Sequence, residues 1–191
     1  MTTSQRLRGL ELLLSIDAPV PSWEVVDRPQ DIPRLSDRDA RFGWTIRTCR
    51  TDGKREMGLF YLNCADSRTA VRVLRERFRG GPRTEFYIVY PSWKFRFSCN
   101  VVFREETYYI EGKYASQKEL AIGRAGPDFG LIVPLGIRSK MTCYLGTPSD
   151  EVMAWLGRIL WWCRRVPMDS FYAEVALIHT SSLMFYELFA I

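Results

Sequence analysis

The sequence predicts an α+β protein with a small N-terminal lobe, residues 1–82, and a larger antiparallel lobe, residues 83–191. Three observations favour this fold class. Apolar residues recur at helical spacing in three separate segments. A Gly-Gly-Pro break at residues 80–82 interrupts the chain, and strand-like runs dominate the sequence after it. One strong helix follows those runs, so we expect it to pack against their sheet. A single compact unit is the alternative organisation.

The N-terminal lobe is predicted to contain a helix, a strand, a hairpin and a second helix. The first helix runs from about Ser4 to Leu14, because its leucines fall on one face. The run SWEVV is a strand, and the charged turn RTDGKREMG can close a hairpin between GWTIRT and LFYLN. Asp66 or Ser67 caps the second helix, which reaches Arg79 before the Gly-Gly-Pro break.

The larger lobe is predicted to be rich in strands. The strand-like runs are TEFYIVY, KFRFSCNVVF, TYYIEG, KELAIG, FGLIVPL and MTCYL. A helix follows Ser149, and its inward-facing residues are Val152, Trp155, Leu156, Ile159, Leu160 and Cys163. The apolar arms FYAEVALIH and LMFYELFAI, joined through the polar turn HTSS, predict a closing β-hairpin.

Composition limits the classes of protein that fit. The 191 residues are 47% hydrophobic, which suffices for one good core or two small lobes. No apolar run reaches the length of a membrane helix, and no apolar signal segment opens the chain, so we expect a cytoplasmic protein. Five scattered cysteines and one histidine argue against zinc and predict reduced thiols. The net charge of +5 suits a nucleic acid or a phosphate-rich small molecule.

Two acids in the closing hairpin are the strongest candidates for chemistry. Glu174 and Glu187 each interrupt an apolar arm, and an acid is costly to bury unless a cation meets it. Their separation along the chain allows the two carboxylates to sit side by side on adjacent strands. Such a pair suits magnesium that carries nucleotide phosphates. The alternative is that one glutamate points to solvent at a strand edge and the other pairs with an arginine.

Five segments, in order along the chain, match one set of sequence patterns. SQRLRGLELLLSIDAPVPSWEVV is similar to GGKAANLARL…PVPPGFVV, and GWTIRTCRTDG is similar to VRSSA…ED. FYIVYPSWKFRFSCNVVF resembles VVQxMV…SGVxFT. YYIEGKYASQKELAIGRAGPDFGLIV is close to VIEAxxGLGExxVxGxxxPDxYxV, with Gly123, Pro127 and Asp128 matching without a gap. FYAEVALIHTSSLMFYELFAI is close to DIEWAxxxxxLYILQARPI. The chain therefore resembles the N-terminal ATP-binding region of phosphoenolpyruvate synthase and pyruvate phosphate dikinase, within the ATP-grasp superfamily.

The resemblance implies a two-lobed ATP-grasp-like fold and a set of phosphate and adenine contacts. The family's phosphate-binding lysine falls on Arg6 and its phosphate-binding arginine on Arg47, and a guanidinium can hold phosphate through two parallel hydrogen bonds. The alternatives are a solvated helix position for Arg6 and an ion-paired strand-edge arginine for Arg47. The adenine hinge, where backbone groups read the base edge, falls on Tyr87, Ile88, Val89 and Tyr90.

The resemblance also implies metal and ribose contacts. The metal-facing glutamate of EWA falls on Glu174, and the glutamine of QARPI falls on Glu187, where a carboxylate is the better magnesium ligand. Glu111 matches the glutamate of VIEA, so it would position ribose hydroxyls or brace Lys113. The arginine of QARPI falls on Phe189, which removes one phosphate contact.

Two further features have structural alternatives. Asp128 is expected to cap a turn through its side chain. The alternation of aromatic and basic residues in WKFRF, residues 93–97, could clamp single-stranded nucleic acid. The same alternation is typical of a half-exposed strand whose aromatics face inward and whose cations face outward.

The implied function is binding of ATP and magnesium between the lobes, in a phosphotransferase or ligase component. The swivelling and acceptor domains of the family do not follow in this sequence, and no catalytic acceptor or nucleophile stands out. The alternative is a degenerate, non-catalytic module that binds protein or nucleic acid through its arginine-rich surface. Six tryptophans and nine tyrosines favour a homodimer or a separate partner subunit.

Overall fold

The computed structural model describes residues 4–52, 56, 58–80, 84–114, 126–136 and 140–191. The chain divides into two compact units. Unit 1 comprises Met1–Arg8 and Pro21–Trp93, and unit 2 comprises Gly9–Val20 and Lys94–Ile191. The predicted KELAIG strand, Gly123 of the matched motif, and Gly81 and Pro82 of the predicted break lie outside the described residues.

The described elements follow the predicted order. Helix α1 (Gln5–Ser15) begins in unit 1 and ends in unit 2. The other elements of unit 1 are β1 (Glu24–Val26), a 3₁₀ turn (Pro29–Asp31), β2 (Trp44–Arg50), β3 (Tyr61–Ala65), α2 (Ser67–Arg77), a 3₁₀ turn (Phe78–Gly80) and β4 (Glu85–Pro91). The other elements of unit 2 are β5 (Phe95–Arg104), β6 (Thr107–Tyr114), β7 (Phe129–Pro134), β8 (Thr142–Leu145), α3 (Asp150–Cys163), β9 (Phe171–Ile178) and β10 (Leu183–Ala190).

Unit 1 is an antiparallel sheet in the order β1-β4-β2-β3 with α2 packed against it. The predicted hairpin of β2 and β3 is confirmed by their antiparallel pairing. Helix α2 begins at the predicted cap, because the Asp66 carboxylate accepts a hydrogen bond of 2.7 Å from the Thr69 backbone amide. The buried face of α2 presents Ala70 and Leu74 to the core.

Strand β4 decides where the two units divide. It pairs with both β1 and β2, so its hydrogen bonds tie it to unit 1. The compact units therefore divide between Trp93 and Lys94. The sequence-based boundary after residue 82 differs from this division because the Gly-Gly-Pro break says nothing about strand pairing.

Unit 2 is a six-stranded antiparallel sheet in the order β10-β9-β5-β6-β7-β8. Helix α3 packs on one face of this sheet through Val152, Leu156 and Ile159, which belong to the same core as Val101 and Val175. Helix α3 begins directly after Ser149, as predicted, and the Ser149 hydroxyl caps it by accepting a hydrogen bond of 3.3 Å from the amide of its third residue.

Helix α1 approaches the backbone of β10 closely. A Cβ atom added to Gly9 would lie 1.9 Å from the carbonyl oxygen of Leu188, so only glycine fits there. The Phe185 amide also donates a hydrogen bond of 2.7 Å to the carbonyl of Pro19, just after α1. These contacts hold β10, the last strand of the sheet, in place.

Two further findings concern the lengths of the helices and the state of the cysteines. No helix within the described residues is long and apolar enough to cross a membrane. All five cysteines are free thiols, of which Cys49, Cys99 and Cys163 are buried and Cys64 and Cys143 are exposed. Burial raises the pKa of Cys49 to about 11 and that of Cys163 to about 12, which keeps these thiols protonated.

Candidate functional site

The two glutamates of the closing hairpin lie directly opposite each other. Strands β9 and β10 pair antiparallel, and their register places Glu187 across from Glu174, as predicted. A β-bulge between Phe185 and Glu187 produces this register. Phe185 pairs with Val175 in the core, so unbroken alternation would turn Glu187 toward the core as well. The bulge instead puts both acids on the face opposite to the core.

Both carboxylates are buried. Glu174 is 8% exposed and Glu187 is 7% exposed, so the interpretation that one of them points into solvent is wrong. The Tyr172 hydroxyl donates a hydrogen bond of 3.0 Å to Oε1 of Glu174. The Tyr172 ring stacks on Phe189, with ring centroids 4.8 Å apart. Phe189, where the resemblance implies an arginine, thus packs against the residue that orients Glu174.

A polar row continues from the acid pair across the sheet. Asn100 of β5 lies opposite Glu174 on one side and opposite Glu111 of β6 on the other. Residues that pair directly across an antiparallel ladder share a face, so the row runs Glu187, Glu174, Asn100, Glu111. Strands are about 4.8 Å apart, so the row spans about 14 Å. The row therefore consists of three carboxylates and one amide.

The side-chain oxygen of Asn100 is the unusual member of this row. It is buried, and it has no hydrogen-bond partner among the described residues. An unsatisfied buried acceptor costs free energy, on the order of 1–3 kcal/mol. A cation or a donor from a ligand would remove that cost, because an amide oxygen is an acceptor.

Glu111 is at the other end of the row, and Asp128 contacts the neighbouring residues of β6. The Tyr144 hydroxyl donates a hydrogen bond of 2.8 Å to Glu111, and burial together with this carboxylate raises the pKa of Tyr144 to about 12. Lys113 forms its ion pair with Asp128 at 3.2 Å, rather than the predicted brace with Glu111. The amide of Tyr114 also donates to Asp128, and this bond is the main reason why the pKa of Asp128 is lowered. The Asp128 carboxylate therefore supports β6, whereas the sequence predicted that it caps a turn.

The residues at the acid pair fit a hard divalent cation. Within the described residues, no group of three or more His, Cys, Asp and Glu side chains is arranged to hold a metal ion. Magnesium, however, is usually bound by one or two carboxylates together with the oxygens of its substrate. Glu174 and Glu187 would supply the carboxylates of such a site, and the unsatisfied oxygen of Asn100 is a third oxygen in the same row.

In unit 1, Arg6 belongs to a buried ion pair. Its side chain is 6% exposed, so the interpretation as a solvated helix position is wrong. The guanidinium donates to the carbonyl oxygen of Thr48 and lies 3.9 Å from the Glu56 carboxylate. Glu56 also accepts hydrogen bonds from the Ser4 hydroxyl and the backbone amide of Arg50. This cluster joins α1 to the end of β2.

Arg47 and the predicted hinge lie on adjacent strands of unit 1. Arg47 of β2 pairs with Ile88 of β4 on one side and with Tyr61 of β3 on the other. Its guanidinium lies 5.7 Å from the centre of the Tyr61 ring. The Thr48 carbonyl that Arg6 contacts is the next residue along β2. Arg6, Arg47 and the predicted hinge are therefore all next to β2 or part of it.

The hinge is more constrained than the sequence suggested. Tyr87, Ile88 and Val89 pair with β1 on one edge of β4 and with β2 on the other, so their backbone groups are used by the sheet. All four hinge side chains, Tyr90 included, are at most 3% exposed. The pairing with β1 extends only to Val89, and Tyr90 stacks on Trp93 with centroids 6.4 Å apart. A base edge could be read only from the end of β4.

The aromatic and basic residues at the start of β5 follow the half-exposed strand interpretation only in part. Phe97 is fully buried in the core of unit 2. Arg96 points outward and forms an ion pair of 2.5 Å with Glu151. A β-bulge between Phe95 and Phe97 breaks the alternation, so these two aromatic side chains do not share one face of the sheet.

Sequence reasoning missed two residues that the structure brings to these clusters. Asn100 is a polar residue within the apolar strand KFRFSCNVVF, which is a readable signal, but its register against Glu174 is not readable. Glu56 lies in a charged turn of the sequence, where a carboxylate is ordinary. The other predicted residues fall into two sets, with Arg6, Arg47 and the hinge in unit 1, and Glu111, Glu174 and Glu187 in unit 2.

No protein-family model and no curated protein sequence matches this chain. Many solved structures are similar to it, including the following three. The macrocyclase MdnC from Microcystis aeruginosa MRC, bound with the precursor peptide MdnA, superposes with a TM-score of 0.54 at 9% identity, covering 96% of this chain and 50% of that one. Carboxyaminoimidazole ribonucleotide synthase from Aspergillus clavatus, complexed with ATP, gives 0.54 at 12% identity, covering 98% and 44%. D-cycloserine synthetase DcsG gives 0.52 at 14% identity, covering 98% and 62%.

These similarities establish the fold alone, because the sequence identities are low. The chain spans between 44% and 62% of the length of these three structures. The superpositions nevertheless extend over almost the whole of this chain, through the helices and both sheets. The chain thus has the α+β, ATP-grasp-like fold that the sequence predicted.

Proposed function

We propose that this chain binds ATP together with magnesium, as a component of an ATP-dependent ligase or phosphotransferase. One observation carries the proposal: Glu174 and Glu187 oppose each other on one sheet face, beside the unsatisfied oxygen of Asn100. Paired carboxylates with a neighbouring amide oxygen are a ligand set for magnesium. The ATP-grasp-like fold and the ATP in the similar Aspergillus clavatus synthase support a nucleotide as the magnesium carrier.

In unit 2, the side chains divide into ligands and a positioning residue. Glu174 and Glu187 would hold magnesium, and Asn100 would add an oxygen. Tyr172 would keep the Glu174 carboxylate in one orientation through its hydrogen bond. Bound magnesium would neutralise charge on the phosphates, which is its usual contribution to phosphoryl transfer. Glu111 would serve as a polar contact for the nucleotide, with Tyr144 holding its carboxylate.

In unit 1, Arg47 would contact phosphate, and the end of β4 from Tyr90 onward would meet the adenine. We assign Arg6 a positioning role, because its guanidinium is used by Thr48 and Glu56. Arg6 thereby supports β2 immediately beside Arg47. A direct contact between Arg6 and phosphate is the alternative. The unfolding stability of Glu56→Gln with and without ATP distinguishes the two roles.

The similar structures favour a ligase over a phosphotransferase. Their names describe a macrocyclase and two enzymes that synthesise small molecules, so they suggest no common second substrate. The finer resemblance to phosphoenolpyruvate synthase rests on sequence segments and favours phosphoryl transfer instead. Radiolabelled ATP distinguishes the two: a ligase that activates a carboxylate releases ADP and inorganic phosphate, whereas a phosphotransferase leaves the label on its acceptor.

Nucleotide binding is tested by thermal unfolding with ATP, with and without magnesium. Ligand at a hundred times its Kd stabilises a protein by about 2.7 kcal/mol, which corresponds to a rise in Tm on the order of 5–10 °C for this size. We expect the magnesium-dependent part of the rise to vanish in Glu174→Gln/Glu187→Gln.

A matched control variant is Glu105→Gln/Glu106→Gln, which makes the same change in charge at the exposed turn between β5 and β6. It should keep the full magnesium-dependent shift. A rise in Tm with ATP that does not depend on magnesium would contradict a role for the acid pair. The absence of any rise in Tm with ATP would contradict the proposed function as a whole.

A non-catalytic nucleotide-binding module is the second candidate. The observation that favours it is Phe189, which stacks on Tyr172 where the resemblance implies a phosphate-binding arginine. Binding of ATP with no turnover across a panel of carboxylate acceptors would support this candidate. Release of ADP that depends on one acceptor would eliminate it.

A further inference from the structure

A row of arginines covers the outer face of α2 in unit 1. Arg68, Arg72, Arg75 and Arg79 follow one another at intervals of four, three and four residues, so they lie on one side of the helix and the 3₁₀ turn after it. All four side chains are exposed. Residues eleven positions apart on a helix are separated by about 16 Å, which is three turns. We call these four residues the arginine face.

The arginine face borders a pocket of about 410 Å³. Leu35, from the segment before β2, and Val71 of α2 supply apolar surface between the guanidinium groups. The pocket is therefore a groove with a charged wall and an apolar strip.

Hydrogen bonds hold the walls of the groove in place. The Asp37 carboxylate accepts a bond of 2.7 Å from the backbone amide of Ser67, which ties the segment containing Leu35 to the start of α2. Asp66 caps the same helix through Thr69. The groove is thus a preformed feature of unit 1, and a ligand would not need to order it.

Only one of the four arginines of the arginine face forms an ion pair within the described residues. Arg72 forms an ion pair of 3.0 Å with Glu76 on the next turn. Within the part of the chain that the structure describes, Arg68, Arg75 and Arg79 form no ion pair. Like charges along one helix face repel each other, so an anionic partner would relieve this repulsion.

The chemistry of the lining favours a peptide over a nucleic acid. Proteins that bind single strands combine a basic groove with aromatic rings on which the bases stack. The described lining of this groove contains no aromatic side chain, and its uncharged contacts are Leu35, Val71 and Ser67. Acidic residues one helical turn apart, with leucines between them, would match both the charges and the apolar strip.

We propose that the arginine groove of α2 binds an acidic, amphipathic helical peptide segment of a partner protein. Guanidinium groups at positions 68, 75 and 79 would pair with carboxylates on successive turns of that helix. Leu35 and Val71 would contact its apolar side chains. This interaction is independent of nucleotide binding, because the groove shares none of its residues with the proposed nucleotide contacts.

The test uses a fluorescein-labelled 18-residue helical peptide with glutamates at i, i+4, i+7 and i+11 and leucines between them. A scrambled peptide of the same composition is the control for charge alone. Fluorescence anisotropy against the full chain at two salt concentrations gives Kd, and circular dichroism reports whether the bound peptide becomes helical. We expect Arg68→Glu/Arg75→Glu/Arg79→Glu to weaken binding at least tenfold.

The matched control is Arg41→Glu/Arg104→Glu/Arg158→Glu, which changes the net charge equally at exposed positions outside the groove. It should weaken binding less than threefold. Should the groove triple variant not fold, Arg75→Gln/Arg79→Gln replaces it, with an expected loss of at least threefold.

Three outcomes would overturn the proposal. The first is equal losses for the groove and control variants, and the second is equal affinity for the scrambled peptide. The third is tighter binding of a single-stranded oligonucleotide of 15 nucleotides than of the peptide, if the groove variant no longer binds that oligonucleotide. Because the magnesium-dependent shift with ATP should survive in the groove variant, failure here is distinguishable from failure of the proposed function.

Discussion

Tyr172 donates a hydrogen bond of 3.0 Å to Glu174, and both residues lie on the same face of β9. The ring that carries this hydroxyl is held by stacking on Phe189 of the neighbouring strand. This hydrogen bond restricts the orientations that the buried Glu174 carboxylate can adopt. The aromatic pair therefore supports the acid pair of the hairpin, and its contribution can be measured.

Replacing Tyr172 with phenylalanine should weaken magnesium binding without removing the stack on Phe189. A hydrogen bond to a charged group contributes about 1.5–3 kcal/mol, and part of this would appear as a threefold to tenfold weaker dependence on magnesium. Magnesium titration at fixed ATP, followed by Tm, measures the change. Tyr109→Phe, on the same sheet face, is the control. Equal effects of the two variants would contradict a specific role for Tyr172.

Replacing Asn100 with leucine should have effects of opposite sign with and without ligand. The variant removes a buried, unsatisfied oxygen, so the ligand-free protein should gain about 1 kcal/mol in the free energy of unfolding by urea. The magnesium-dependent shift with ATP should shrink, because an oxygen ligand has been lost.

Asn63 provides the matched comparison for this prediction. Its side-chain oxygen accepts hydrogen bonds from the Thr45 and Ser92 hydroxyls at 2.6 and 3.0 Å. Asn63→Leu should therefore destabilise the protein, by about 1–2 kcal/mol. If Asn100→Leu destabilised the ligand-free protein to the same degree, the oxygen of Asn100 would not be an unsatisfied group.

Replacing Glu56 with glutamine should lower the free energy of unfolding by about 3 kcal/mol, because the buried Arg6 guanidinium loses its counter-charge. Glu76→Gln, which breaks the exposed pair with Arg72, should cost less than 1 kcal/mol. Urea unfolding measures both. If Arg6 contacted phosphate directly, saturating ATP would restore the lost stability of the Glu56 variant relative to the wild type. The positioning role predicts no such recovery.

The cap of α2 predicts part of the pH dependence of stability. Hydrogen bonds from the Thr69 amide, and then from its hydroxyl, lower the pKa of Asp66 from its ordinary value of 3.8. A lowered pKa in the folded state means that the unfolded chain binds protons first, so stability is present above about pH 4 and falls as the pH drops below it.

Asp66→Asn should keep the cap, since asparagine is an equally good N-cap residue, and should lose less stability than the wild type between pH 7 and pH 3. Asp66→Ala should be less stable than both at pH 7, where the wild-type cap is fully formed. Urea unfolding at the two pH values checks this. An identical loss on acidification in the wild type and Asp66→Asn would show that the cap does not titrate in this range.

Helices and strands could be predicted because their signals are local. The caps Asp66 and Ser149 are each followed by apolar residues at helical spacing, and both helices begin where this signal indicates. The closing hairpin was equally readable, because two apolar arms flank one polar turn. The division between the units was not readable, since it depends on β4 pairing with β1 across the 58 intervening residues 27–84.

The candidate site was predicted only in part. Glu174 and Glu187 are visible as acids within apolar arms, and their opposition is confirmed. Arg6 was visible as a cation, but its burial against Glu56 was not, because a helix of this length shows no periodicity that separates a solvated position from a paired one. The role of Asn100 depends on which residues of three different strands share a row.

The sequence by itself determined that an acid sits on each arm of an apolar hairpin, because residue type and strand propensity are local properties. Only the tertiary structure decided that both acids face the same side. The bulge at Tyr186 reverses the alternation of β10 between Phe185 and Glu187, and without it Glu187 would be buried in the core. A one-residue shift in register carries almost no sequence signal, yet it determines that the two acids lie opposite each other on one face of the hairpin.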